Sequence, residues 1–600
     1  MEVEERKSLT SSSLLQRLTS IPGNAILQEI ASLRNHLSRE EAEESKVLEE
    51  LKRVQGRIEI LRKQKAALES KIATIWTLPV ELLSYIFEIG AELDIEDEEN
   101  EEKKKKKGKE NSGSEFDSDS DKPPPTPFVI LVSHVCSTFR NVALRTSSLW
   151  TTIILSHLRD EQMERARAFV ERSGTSPLTI FYEEDDGSDE LRDTLMDLLH
   201  PHISRLKAFS IRLSSFRSIH RIMLHLDKPA PLLEYLELNE RDYDTGFDEF
   251  EAFEHPELAE PLTVFSGHMP KLKELILDGV HVAWPNCNFH DLRELVLGYH
   301  TRDVRPTYED FKAIIDGSPD LKCLTLRGSG PILPEEADVV ACYPPLEMER
   351  LESLDIADIA SEYLTPLILL LRAPNLRSLS LIKLNTNDYT TFLLTLADPP
   401  VLYPNVTELK LLGIDGNTSA FTKLFRAYPN LKKLSLYIEH ENERWLTCIA
   451  PEDGSEVPCQ KLEMLRCFRA PLHDVHAALT RRQAAGCPIP KVEMDHSTAG
   501  WGNDDVMDWI KQNTDLEIIS EPSENGLYED DEDEESEWGS DGGMHGLGPW
   551  FLDGGGFSDE DEDEDEDEEE DAWIDEDSSG SSDMEVDDGS SDESGSDDGD

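Results

Sequence analysis

The sequence predicts an α/β solenoid of leucine-rich repeats, preceded by a small all-α module and a long coiled-coil-like helix. Three observations lead to this fold class. One apolar unit recurs ten times between residues 206 and 467, two short apolar helical patterns lie between 78 and 150, and a heptad pattern fills residues 24–75. Recurring units of this length are typical of solenoids, because each unit buries its apolar side only against its neighbours.

The N-terminal part of the chain predicts a long helix. Residues 1–23 are polar and end in a Pro-Gly break, so we expect a disordered N-terminus. Over 24–75 apolar residues alternate at spacings of three and four, which is typical of a coiled coil. The seam consists of Ile26, Ile30, Leu33, Leu37, Val47, Leu51, Val54, Ile58, Leu61, Leu68, Ile72 and Ile75, with Glu40, Glu44 and Lys65 as polar interruptions. Self-association through 24–75 and packing of the helix against its own protein both fit this pattern.

Two short apolar patterns flank a charged segment. The first, WTLPVELLSYIFEIG, spans residues 76–90 and has an apolar face of Leu78, Leu82, Leu83, Ile86 and Phe87. The second lies in FVILVSHVCSTFRNVALRTSSLW, 128–150, where Val132, Val135, Cys136, Phe139 and Ala143 share one helical face.

The segment between these patterns predicts a disordered insertion over 91–127. It combines acidic residues, a lysine run at 103–107 and a proline run. The lysine run fits a solvated charge run that balances the acidic residues beside it, and a nuclear import signal is the alternative.

The repeat unit has the form apolar-x-x-apolar-x-apolar. Its last two apolar positions alternate as in a strand, so stacked copies predict a parallel sheet with connecting helices. Helical patterns at 308–319, 362–374, 388–400 and 419–429 lie between the units, as this arrangement requires. We expect the repeat domain to occupy residues 154–520, and its ten units begin at Leu206, Leu233, Leu272, Leu292, Leu321, Leu351, Leu376, Val406, Leu431 and Leu462.

The charge of the chain is extreme and uneven. The formal net charge is −66, and residues 521–600 contain 37 Asp and Glu with no Lys or Arg. Such a segment predicts a disordered acidic tail, which either solubilises the chain or docks on a basic partner through the aromatic residues among its acids. We expect no nucleic-acid binding through the general field of the protein, because phosphates would be repelled.

No pattern typical of catalysis, metal binding or membrane insertion stands out. The sequence lacks the P-loop, HExxH and GxSxG motifs, and its eight cysteines form no CxxC pair. No apolar run approaches the roughly 20 residues that span a bilayer, and the N-terminus does not read as a secretory signal. We therefore expect a non-catalytic protein without a cofactor or a metal, located in the cytoplasm and/or the nucleus.

The two apolar patterns together resemble an F-box. Leu78, Pro79, Glu81, Leu82, Ile86 and Phe87 match the first half of that motif, and Val135, Cys136, Phe139, Arg140, Ala143, Leu149 and Trp150 match the second half. The departure is the inserted segment between the halves, which costs little closure entropy. We expect this module to occupy 76–153. The whole layout is similar to the large F-box family of basidiomycete, mushroom-forming fungi.

The resemblance implies a function in a Skp–cullin–F-box type E3 ubiquitin ligase. The F-box would dock on a Skp-type adaptor, and the repeats would hold an unknown protein substrate, which the acidic charge suggests is basic. The implied adaptor-binding residues or their immediate support are Leu78, Pro79, Leu82, Ile86, Phe87, Val132, Val135, Cys136 and Arg140. Trp150 is expected at the junction with the repeats. The alternative, drawn from the acidic tail, is a histone-binding chaperone or chromatin scaffold.

Overall fold

The computed structural model describes residues 23–72, 75, 78–94, 127–156, 158–184, 187–241, 253–334, 339–384, 388–438, 445–450, 457–500 and 504–519. Three predicted features lie outside the described residues: the disordered N-terminus before Gly23, residues 95–126 of the predicted disordered insertion with its lysine run at 103–107, and the acidic tail 521–600.

The N-terminal half of the chain begins with helices. The first, α1, spans Gly23–Ile72, and α2 spans 80–94. Helices α3 and α4 span Phe128–Val135 and Ser137–Arg145, and a 3-10 turn follows at Ser147–Trp150. The later helices, α5 to α17, are Asp160–Arg172, Asp189–Leu199, Phe216–Met223, Trp284–Cys287, Tyr308–Asp316, Val339–Cys342, Ser361–Leu370, Thr390–Ala397, Thr418–Ala427, Trp445–Ile449, Leu472–Ala484, His496–Gly500 and Asp504–Asn513.

The strands form an α/β architecture around one large parallel sheet. Its fourteen strands follow the chain in order, each beside the next. A separate two-stranded parallel pair, β8 and β10, lies outside this sheet at Leu346–Glu347 and Leu371–Arg372. The strands of the large sheet are β1 Thr152–Ser156, β2 Leu178–Glu184, β3 Leu206–Leu213, β4 Tyr235–Glu240, β5 Glu274–Asp278, β6 Glu294–Gly298, β7 Cys323–Arg327, β9 Ser353–Ala357, β11 Ser378–Leu384, β12 Glu408–Ile414, β13 Lys433–Tyr437, β14 Met464–Phe468, β15 Lys491–Asp495 and β16 Asp515–Ile519.

The register of the sheet aligns the repeat leucines. Leu275, Leu295 and Leu324 face one another across β5, β6 and β7, and the row continues to Leu354 in β9. These side chains are buried and belong to one apolar core with the inward residues of the connecting helices, such as Phe311 and Leu364. The repeat spacing therefore sets both the strand order and the face of the sheet that the helices cover.

All ten predicted units are strands of this sheet, and the four predicted helices are α9, α11, α12 and α13. Four further strands, β1, β2, β15 and β16, extend the sheet at both ends. Their sequences, such as TIILS in β1 and KVEMD in β15, lack the full leucine unit and were not predicted as repeats. Within the described residues, no helix combines the length and the hydropathy needed to cross a bilayer.

Candidate functional site

Helix α2 packs against α3 and α4 through aromatic and aliphatic side chains. Leu83 and Phe87 on α2 are buried, as are Val132 on α3 and Phe139 on α4. The rings of Phe87 and Phe139 meet edge to face, with their centroids 5.0 Å apart. Such aromatic pairs contribute about 0.5–1.5 kcal/mol beyond the burial of their area. The two apolar patterns of the sequence therefore form one small core.

The two ends of the inserted segment lie side by side. Helix α2 extends to residue 94, four residues into the predicted insertion. The backbone N–H of Phe128 donates to Oδ2 of Asp94 at 2.5 Å. A side-chain Cβ at position 90 would lie 2.5 Å from the Phe128 ring, so Gly90 allows this close approach of the two helices. Residues 95–126 thus join two points that the structure already holds together.

Polar contacts tie α2 to the end of α4. The hydroxyls of Ser84 and Thr146 are 2.9 Å apart, and Ser148 donates to the carboxylate of Glu88. Ser84 and Glu88 are one helical turn apart, so these contacts fix the orientation of this turn of α2.

The second sequence pattern is two helices rather than the single helical face that we expected. Cys136 has extended backbone angles between α3 and α4, and its sulfur accepts a hydrogen bond from the Phe139 N–H at 3.4 Å. Cys136 therefore begins a new helix. The break explains why Val135 is exposed, although its spacing from Phe139 suggested a shared buried face.

Helix α2 carries a second apolar stripe that faces solvent. Leu82, Ile86, Ile89 and Leu93 follow one another at spacings of four, three and four, and their exposed fractions are 49%, 43%, 38% and 53%. The sequence predicts a single apolar face on this helix, whereas the structure has two. Leu83 and Phe87 pack inward, whereas Leu82 and Ile86 are exposed. Exposed apolar patches of this kind often mark interaction sites.

The structure sorts the predicted adaptor-binding residues into two groups. Phe87 and Val132 are buried in the module's own core, so neither side chain is accessible for direct contact with a partner. Leu78 and Cys136 are half-buried. The exposed members are Pro79, Leu82, Ile86, Val135 and Arg140. Ile89, Leu93 and Leu131 are also exposed, although they are not among the predicted adaptor-binding residues. The continuation of the three-and-four spacing beyond Ile86 was the signal for Ile89 and Leu93.

Trp150 joins the helical module to the sheet domain. It is fully buried, its indole N–H donates to the carbonyl of Ala143 at 2.8 Å, and its ring meets Phe169 of α5 edge to face at 5.1 Å. The Arg172 guanidinium lies 4.3 Å from the centre of the same ring. The module thus contacts the sheet domain through a packed aromatic side chain.

The second face of the sheet, opposite the helices, carries charged residues in its N-terminal half. Glu237 on β4 is almost fully buried and accepts hydrogen bonds from Ser210, Arg212 and Tyr235 at 2.6, 2.7 and 2.8 Å. Burial, together with the neighbouring Glu237 carboxylate, raises the pKa of Tyr235 well above its ordinary value. This network holds side chains from two neighbouring strands in fixed positions on that face.

The C-terminal half of the same face carries another charged cluster. Arg466 on β14 donates to Glu493 on β15 at 2.6 Å, and Lys491 lies 2.6 Å from the same carboxylate. Burial alone would raise the pKa of Glu493, but Lys491 and Arg466 outweigh it and hold that pKa below its usual value. Beside this cluster runs an apolar row of Ala357, Ile382, Leu412, Tyr437 and Phe468, one residue from each of five adjacent strands.

The buried His300 is held by polar partners. His300 is bonded to the Ser329 hydroxyl at 2.8 Å and to the carbonyl of Val280 at 2.9 Å. Burial lowers the pKa of His300 to about 3, so the ring is neutral. Arg305 donates to the carbonyls of His300 and Gly328, both at 2.8 Å. This cluster joins the loops that follow β5, β6 and β7.

The described residues contain no group of three or more His, Cys, Asp or Glu side chains that could hold a metal ion. The eight cysteines are free thiols. Burial raises the pKa of Cys287 to about 11 and that of Cys459 to about 12, so neither is an activated thiolate.

No protein-family model matches the chain, and no curated protein matches it.

Proposed function

We propose that the protein is the substrate-recognition subunit of a Skp–cullin–F-box type ubiquitin ligase. In this proposal the helices between 78 and 150 are an F-box that docks on the Skp-type adaptor. The sheet domain is a leucine-rich-repeat solenoid that holds the substrate. The protein itself supplies no catalytic group, and its place of action is the cytoplasm, the nucleus or both.

The observation that carries the proposal is that α2 is apolar on two sides, of which only one is buried. One side of this helix packs on α3 and α4 through Leu83 and Phe87, and the other side exposes Leu82, Ile86, Ile89 and Leu93. A helix that only stabilised its own domain would keep polar residues on the outer side. The exposed stripe therefore supports a helical partner with an apolar groove, and an adaptor of the Skp type fits the F-box resemblance.

The sheet supports the second half of the proposal. Its fourteen parallel strands present a second face, on which charged clusters are held in fixed positions by hydrogen bonds. The clusters around Glu237 and Glu493 lie on strands that are far apart in the sheet, so a protein surface spans them more readily than a small molecule does. A basic substrate would match the acidic charge of the chain, and a histone would also satisfy the alternative function as a chaperone.

The function would rest on positioning. The ligase complex brings an activated ubiquitin, and a substrate held on the sheet domain meets it at a high effective concentration. Trp150 links the adaptor module to the sheet domain by a packed contact, which keeps the substrate at a defined place relative to the ligase.

Affinity purification with mass spectrometry tests this division of labour. The full chain is compared with the double variant Leu82→Glu/Ile86→Glu, which places charges on the exposed stripe and leaves Leu83 and Phe87 in place. We expect the adaptor and cullin to be lost from the variant, while substrates remain in both samples. If neither the adaptor nor the cullin copurifies with the wild-type chain, the proposed function is wrong.

A further inference from the structure

Helix α1 exposes an apolar seam from Ile30 to Leu61. Every described side chain from Leu27 to Lys65 is exposed. Eight of them are seam residues with exposed fractions between 40% and 65%: Ile30, Leu33, Leu37, Val47, Leu51, Val54, Ile58 and Leu61. The helix has 50 residues and is therefore about 75 Å long at 1.5 Å per residue. Such an isolated helix gains most of its stability from a packing partner.

A parallel, in-register pairing with a second copy places like charges together. Each polar seam residue, Glu40, Glu44 or Lys65, would face the same residue of the second copy. Arg57, which flanks the seam, would face Arg62 of that copy. Like charges at such close positions are destabilising.

Two flanking pairs would favour the parallel arrangement, but they are outweighed. Glu29 would face Arg34, and His36 would face Glu41. Both pairs lie at the solvated edge of the seam, where ion pairs contribute little. The three like-charge layers lie in the seam itself, where a partner helix would exclude water.

An antiparallel pairing removes most of these conflicts in one register. It is the register in which facing seam residues have numbers that add up to 105. Lys65 then lies opposite Glu40 of the second copy. The apolar layers pair Val47 with Ile58 and Leu51 with Val54.

The same register also satisfies the flanking charges and the ends of the seam. Arg57 comes beside Glu50 of the second copy, whose carboxylate already binds Arg53 of its own chain at 2.7 Å, and Arg62 comes beside Glu41. Glu44 faces Leu61, so that layer adds no charge pair. At the ends, the positions opposite Leu37 and Leu33 are 68 and 72, and the sequence has Leu68 and Ile72 there.

We propose that α1 binds a second copy of this chain in an antiparallel coiled coil centred between Lys52 and Arg53. Two copies together would cover the exposed seams of both helices. The C-terminal ends of the two α1 helices, at Ile72, would lie about 60 Å apart at opposite ends of the pair, given 1.5 Å of rise per residue. A parallel pair would place these two ends together. The inference does not depend on the proposed function in ubiquitin transfer.

Charge reversal in the full-length protein tests the pairing and its direction. Sedimentation velocity over a concentration series gives the dimer dissociation constant for the wild type, Glu40→Lys, Lys65→Glu and the double variant. In the antiparallel register each single reversal turns two attractive pairs into repulsive ones, so we expect it to weaken the dimer about tenfold. The double variant exchanges the charges and restores wild-type affinity.

A parallel dimer would respond differently to these variants. In that pairing residues 40 and 65 each face the same residue of the second copy, so a single charge reversal replaces one pair of like charges by another pair of like charges. Single variants with unchanged affinity would overturn the proposed direction. A wild-type chain that stays monomeric at micromolar concentrations, or assembles beyond a dimer, would overturn the pairing itself. Both substituted side chains are exposed in the monomer, and far-UV circular dichroism checks that the helix is retained.

Discussion

Replacing Phe87 by alanine should open the helical module while leaving the sheet domain folded. Phe87 is 2% exposed, and its ring packs edge to face on Phe139 at 5.0 Å. Removing a buried phenylalanine side chain costs about 3–5 kcal/mol, because both transfer energy and packing are lost. The module is small, so this loss is a large part of its local stability. Each 1.4 kcal/mol changes an equilibrium about tenfold, which makes the expected increase in local opening at least about 100-fold.

Hydrogen exchange followed by mass spectrometry measures this opening for each helix separately. Amides of α2, α3 and α4 should exchange at least about 100-fold faster in Phe87→Ala, whereas amides of the central strands should be unchanged. Leu82→Ala is the matched control, because Leu82 lies on the same helix but is exposed, and its amides should keep wild-type protection. If α3 and α4 keep their protection in Phe87→Ala, the two halves do not share a core across the inserted segment, and the reasoning is refuted.

Two further predictions concern the sheet domain. Burial lowers the pKa of His300 to about 3, against about 6.5 in an unfolded chain, so the unfolded state binds more protons between these values. The contribution of His300 to the free energy of unfolding should be fully present above pH 6.5 and should fall by up to about 1.4 kcal/mol per pH unit below it. Urea unfolding at pH 7 and pH 5 should therefore show a smaller loss of unfolding free energy in His300→Asn than in the wild type. An equal loss in the two proteins would contradict this prediction. Thermal unfolding should show that Gly267→Ala destabilises the protein by about 2 kcal/mol more than Gly174→Ala does. Both glycines have positive φ, so the backbone strain is similar. Only at position 267 would the added Cβ lie 2.1 Å from a backbone oxygen, that of Asn286. Equal losses would show that the close contact relaxes at little cost.

The sheet could be predicted from the sequence because its repeat unit encodes burial directly. Leucines at alternate strand positions must face one core, and ten copies leave little freedom in their order. The strands at the two ends were harder to predict. In β16, for example, Asp515 and Glu517 alternate with the apolar residues, and none of its side chains is fully buried. A terminal strand has a neighbour on one side only, so its sequence is less constrained.

The sequence could predict which residues belong to the candidate adaptor site, but not which of them are exposed on its surface. Leu82, Leu83, Ile86 and Phe87 are all apolar and closely spaced, so the sequence cannot assign inward and outward sides. The assignment depends on where α3 and α4 lie, and this follows from the packing on Phe139 and from the contact between Asp94 and Phe128. The helix break at Cys136 was equally hidden, because a cysteine at the N-cap position is uncommon.

The most direct test of the proposed function is a calorimetric titration of the purified full-length protein with a Skp-type adaptor. The wild type should bind, and Leu82→Glu should bind at least about tenfold more weakly, because it buries a charge in an apolar contact. Leu224→Glu is the matched control: Leu224 is 57% exposed, close to the 49% of Leu82, and follows α7 in the sheet domain. We predict that Leu224→Glu retains adaptor binding and that Leu82→Glu loses it. Equal binding by both variants, or no binding by the wild type, would contradict the assignment of the α2 stripe as the adaptor site.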